Sequence, residues 1–160
     1  MRLRAAFCSA LLVGFTVGSP ASPAEEETPR KDAKDELKLL EGAWTVVGLE
    51  ANGKKAPPEA LEGMSWSFRD AELSCNDPGN KLEDKATVKL DPSRSPKRID
   101  IVGLTGTGKG KTVAGIYKID NGQLIVCMRD AEVAKKGRPE KFATAKDSGL
   151  GIITLERVKK

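Results

Sequence analysis

The chain has no histidine. That absence removes Ser-His and Cys-His nucleophilic systems, and with them the commonest protein ligand for zinc, copper or iron. Cysteine is scarce as well, and Cys8 lies close to the N-terminus, which leaves only Cys75 and Cys127 in the body of the chain. Two scattered cysteines cannot build a structural zinc site by themselves. Aromatics are 4% of residues, and two of them, Phe7 and Phe15, fall near the start. No apolar run approaches the roughly 20 residues that a membrane-spanning helix needs. Carboxylates are plentiful, yet spacing singles out no glycosidase-like pair among Asp100, Asp120, Asp130, Glu132 and Glu140. These gaps give the expectation that the chain is not an enzyme and uses no cofactor and no metal.

What is present begins with a targeting pattern. Arg2 and Arg4 precede an apolar stretch from Ala5 to Val17, followed by small residues and prolines up to Ala24 and then by Glu25-Glu26-Glu27. A positive start, a short apolar core and a small-residue exit form the layout of a secretory signal peptide. Residues 1–24 are therefore expected to be a signal peptide cleaved after Ala24, with delivery to the periplasm or the extracellular space. Cleavage would leave 136 of the 160 residues and lower the net charge from +4 to +2, since Arg2 and Arg4 are the only charges removed. That length suffices for one domain with its own core. So small a charge exerts little pull on nucleic acid or an acidic membrane surface. Neither is expected as a partner, nor is a membrane span after cleavage. An even pair of cysteines in an exported chain permits a disulfide, and Cys75 and Cys127 equally suit small buried positions in strands.

Residues 25–34 (EEETPRKDAK) carry no large apolar side chain and are expected to form a flexible charged linker. A short amphipathic helix is expected over Ala33 to Leu40, with Leu37 and Leu40 on one face, where it would cover one end of the domain. From Ala43 the apolar period changes to two. Met64, Trp66 and Phe68 alternate with Ser65, Ser67 and Arg69, the pattern of a half-buried antiparallel strand. Seven more segments read as strands: 44–50, 72–76, 86–90, 98–103, 112–119, 123–128 and 151–157. Asn121-Gly122 between two apolar runs is a strong hairpin signal. With short connections and no long helix between strands, residues 35–160 are expected to form one all-β domain, a meander of about eight antiparallel strands closing on itself.

Gly103 to Thr112 (GLTGTGKGKT) comes close to a phosphate-binding P-loop. Counted from Gly103, glycine replaces the hydroxyl residue that must follow the lysine; counted from Thr105, the first glycine is missing. A P-loop also opens a helix whose free amides face the phosphates, whereas Thr112 to Ile119 is β-branched and reads as a strand. A glycine-rich turn between strands accounts for the segment.

Leu40-Glu41-Gly42-Ala43-Trp44 carries the G-x-W pattern, and Leu155-Glu156-Arg157 places an arginine on the last strand. Both resemble lipocalin-like barrels, and the resemblance implies that Arg157 packs across Trp44 to help close the barrel. Asn52-Gly53-Lys54, Pro96 to Asp100, Gly115-Ile116-Tyr117, Leu124 to Cys127 and Arg138 to Phe142 extend the likeness. Together they resemble the uncharacterised lipocalin-like domains abundant in exported proteins of planctomycete bacteria, from about Glu36 to Arg157. That family implies a calycin-type, up-and-down barrel and no assigned activity. Two functions are therefore expected to compete. One is binding of a small hydrophobic molecule inside the barrel, lined by Met64, Trp66, Phe68 and Tyr117. The other is an inhibitor-like or protein-interaction domain of the cell envelope, with a barrel filled by its own side chains and no ligand; in either case a monomer is expected.

Overall fold

The computed structural model describes residues 28–79, 83–129 and 137–159. The expected signal peptide, and Asp130 and Glu132, lie outside the described residues. The first element, α1, spans Thr28–Leu40. It starts earlier than the expected 33–40, so the linker expected over 25–34 is helical from Thr28 onward. The sequence explains the difference. Pro29 sits in the first turn, where a missing backbone N–H costs nothing, and Arg, Lys, Ala and Asp-Lys pairing favour continuation. Asp35 and Lys38 form such a pair at 3.8 Å one turn apart.

Among the described residues, nine strands come after the helix: β1 (Gly42–Ala51), β2 (Lys54–Lys55), β3 (Ser65–Arg69), β4 (Glu72–Asn76), β5 (Asp84–Asp91), β6 (Arg98–Gly103), β7 (Thr112–Asp120), β8 (Gln123–Arg129) and β9 (Leu150–Arg157). From β3 onward each pairs antiparallel with the next in the chain, β3 also pairs with β1, and β9 returns to β1. The result is a closed eight-stranded antiparallel barrel, with β2 as a short flap on the end of β1. Closure leaves the barrel no free edge. The β7–β8 turn is Asn121-Gly122 with φ of 51° and 80°, the paired positive values of a type I′ hairpin.

Alternation assigns the faces. Trp44 pairs with Trp66, Trp66 with Cys75, Val88 with Ile101, Tyr117 with Val126, and Val126 with Ile153. All point inward. The one register shift lies in β1 between Val46 and Gly48, where a bulge keeps both Val46 and Leu49 on the inner face and leaves Val47 exposed. One apolar cluster fills the half of the barrel nearest α1. Leu40 enters it from the helix, and Trp44, Phe68, Leu73, Leu90, Ile99, Tyr117, Leu124 and Leu155 enter it from the barrel strands. Burial of each such side chain contributes about 1.5–3 kcal/mol.

The segment 137–149 lies outside the barrel wall. Arg138 donates to the carbonyls of Ile99 and Gly115 and pairs with Asp100, so it ties the segment across β6 and β7. Pro139 is buried beside it. Farther along, Thr144 bonds Glu50 and accepts the amide of Gly53, and Asn52 accepts the amide of Gly149. Cys127, on the outer face of β8, is buried, and its thiol donates to the carbonyl of Lys141 at 3.7 Å. Cys75 points into the barrel from β4. Both cysteines are free, as their positions on opposite faces of the sheet require.

Candidate functional site

The two ends of the barrel differ. At the α1 end the helix is tied down by its own C-terminus. The Trp44 indole donates to the Leu40 carbonyl at 2.7 Å. Arg157 donates to the carbonyls of Leu39 and Glu41, and its guanidinium carbon lies 4.5 Å from the centre of the Trp44 ring. A cation over the last carbonyls of a helix satisfies groups that the helix itself leaves unbonded. One turn earlier, Glu36 pairs with Lys97 and accepts the Tyr117 hydroxyl at 3.1 Å. Burial and the Glu36 carboxylate push the Tyr117 phenol well above the usual tyrosine range, so it stays a neutral donor.

The opposite end, called the mouth below, is less completely buried. Its inward-facing side chains, Leu49, Met64, Cys75, Ile101, Met128 and Ile153, pack against the core yet are only partly buried. Gly151 shares this face, through its pairing with Met128, and a Cβ built on it would meet one atom only, the Glu50 carbonyl oxygen at 3.7 Å. Two methionines add polarizable surface that adapts to varied apolar shapes.

Of the four expected lining residues, Met64 belongs to the mouth. Trp66, Phe68 and Tyr117 belong to the filled half, and Trp66 and Phe68 meet edge to face with centres 6.1 Å apart. Leu49, Ile101, Met128 and Ile153 complete the mouth; spacing alone does not separate them from ordinary core, because period two reports the face of a strand and not the depth along it.

The cysteine at the mouth is chemically quiet. Burial, then the carboxylates of Asp84 and Glu83, push the Cys75 thiol up to about 12. Burial also raises Cys127. A thiol that is held neutral in the folded chain and ionises freely in the unfolded chain binds the extra proton in the folded state. Its stabilising share is complete below pH 9 and is lost as pH rises from 9 toward 12. Between pH 8 and pH 10.5 this thiol should remove about 2 kcal/mol of stability, at about 1.4 kcal/mol per pH unit above its ordinary value. Urea denaturation at both pH values measures the loss, and Cys75→Ala should shrink it by that amount; an equal loss in the variant refutes the assignment.

The glycine-rich segment is a turn between β6 and β7, with one 3-10 turn at Gly106–Gly108 and strand again from Thr112. Gly106 packs on the Asp84 side chain, so a carboxylate lies against the glycine-rich segment. Among the carboxylates considered for catalysis, Asp100 is paired with Arg138 and Asp120 with Lys118, on separate parts of the surface, and Glu140 is exposed. Among the described residues, no group of three or more cysteine or carboxylate side chains is placed to hold a metal ion, and no helix is long and apolar enough to cross a membrane. Comparison with protein-family models, curated proteins and solved structures returns no match for the chain.

Proposed function

We propose that this chain is exported to the periplasm or beyond and that its barrel binds a small apolar molecule at the mouth opposite α1. The observation that carries the reading is the set of inward-facing apolar side chains that stay partly exposed there: Leu49, Met64, Ile101, Met128 and Ile153. Inward residues of a barrel too small for a ligand are expected to close over one another, as they do in the α1 half. The molecule would rest on a floor of packed aromatics and not among them. Trp66, Phe68 and Tyr117 thus support the site from below, and Met64 touches the ligand. Export rests on the N-terminal signal pattern, together with the likeness to exported planctomycete lipocalin-like domains.

A neutral fluorescent probe such as N-phenyl-1-naphthylamine tests the site. It should bind and be displaced by apolar compounds. Ile153→Lys sets an ammonium group into the mouth and should weaken binding about tenfold or more, the cost of desolvating a charge against apolar surface. Val158→Lys, at the α1 end and exposed, should leave it unchanged. Probe binding that ignores Ile153→Lys refutes the mouth as the site. The packed α1 half favours a second reading, in which the barrel is a rigid scaffold for contact with another protein of the cell envelope. Native mass spectrometry of the protein from its own host separates the two. A retained small molecule supports the binding barrel; a bare chain with a retained protein partner supports the scaffold.

A further inference from the structure

At the α1 end, a surface cleft of about 610 Å³ runs between the helix, the β5–β6 loop and the β7–β8 hairpin. Four cations line it, Arg94, Lys97, Lys118 and Arg157, against a single carboxylate, Glu36. That carboxylate is committed twice, to Lys97 and to the Tyr117 hydroxyl. The walls are apolar. Leu39 and Ile119, 56% and 42% exposed among the described residues, are large aliphatic side chains, and both line this cleft. Three cations also lie over rings in its wall: Arg157 over Trp44, Lys118 over Phe142 at 5.4 Å, and Lys97 over Tyr117 at 6.0 Å. Positive charge is thereby held against flat apolar surface.

We propose that this cleft is a binding site for a small amphipathic anion, a planar apolar body bearing one carboxylate or sulfonate. Leu39 and Ile119 take the apolar body. Lys118 and Arg94 take the anionic group. Each of these two is paired with an exposed carboxylate, Lys118 with Asp120 at 3.1 Å and Arg94 with Asp91 at 3.3 Å. Exposed pairs of this kind are weak and exchange readily, so an incoming anion replaces Asp120 or Asp91 at little cost. Arg157 adds field without giving up its bonds to the helix carbonyls. The site is separate from the mouth, since its lining residues come from the opposite ends of β1, β7 and β9.

The probe is 2-naphthoate, titrated into the purified protein and followed by amide chemical shifts. Saturable shifts should appear at Ile119, Gly122 and Phe142. Lys118→Glu and Arg94→Glu should each weaken binding about tenfold, the size expected for loss of one charge-assisted contact. The two side chains, 44% exposed for Lys118 and 60% for Arg94, lie outside the core, so the variants keep the fold, and Lys118→Gln serves as a charge-neutral control with a smaller effect. Added salt should weaken binding, because the attraction is between surface charges. The neutral analogue 2-naphthalenemethanol should bind about tenfold less tightly. Three results overturn the proposal: equal binding of the neutral analogue, shifts at Leu49 and Ile153 in place of those at the cleft, or no saturable shift. Failure here leaves the mouth reading untouched, because Ile153→Lys acts only there.

Discussion

Trp44→Ala should cost about 3–5 kcal/mol in chemical denaturation, the range for truncating a buried tryptophan. The ring is 2% exposed and sits where three elements meet. It begins the inner face of β1, it holds the end of α1 through the Leu40 carbonyl, and it carries the Arg157 guanidinium across the β1–β9 seam that closes the barrel. Arg157→Ala should cost about 1–3 kcal/mol, since it removes two bonds to the carbonyls of Leu39 and Glu41 as well as the stacking contact. Arg157→Lys keeps the charge and loses the planar fork that reaches both carbonyls, so it should recover only part of that loss. The two sites are in contact, so the double variant Trp44→Ala, Arg157→Ala should fall short of additivity by about 0.5–2 kcal/mol. Strict additivity would mean that ring and guanidinium are neighbours without coupling.

Much of this architecture is legible in the sequence, and the reason is local. Where a strand has one face in the core and one in solvent, period two marks it, as at Met64 to Arg69. Where a turn needs positive φ, Asn-Gly marks it, as at Asn121-Gly122. The closing contact is legible only through resemblance, because no spacing rule joins Trp44 to Arg157, 113 positions later. Two features have no signal. The segment 137–149 holds the outer wall through Arg138 and backbone carbonyls, and such bonds leave no periodic trace. The cleft at the α1 end joins residues from a helix, a loop, a hairpin and that same outer segment, each ordinary in its own stretch. The early start of α1 is hidden for another reason. Residues 28–34 lack the apolar stripe that marks a helix by packing, and intrinsic propensity alone reads weakly.

Gly103→Ala should destabilise the chain by about 3 kcal/mol or more, at the upper end of what forced overpacking costs. The obstacle is backbone. A Cβ at Gly103 would lie 2.0 Å from the Gly108 carbonyl oxygen and 2.4 Å from its carbon. No flexible side chain can swing away there. The β6–β7 connection folds back on the end of β6, with the Gly103 amide donating to Lys111 at 3.0 Å and the Gly110 amide to Gly103 at 2.9 Å. Relief would break that clasp. Gly108→Ala is the matched control. Nothing lies within 4 Å of its Cβ and its φ is ordinary, so it should be neutral or gain up to about 1 kcal/mol through the unfolded chain. Two neighbouring glycines in one P-loop-like stretch thus have opposite expected effects. A phosphate cradle would need both for ligand approach, and both substitutions would then weaken ligand binding while leaving unfolding unaffected. Urea denaturation of the two variants decides between these accounts: equal stability for Gly103→Ala and Gly108→Ala would remove the structural explanation of the glycines.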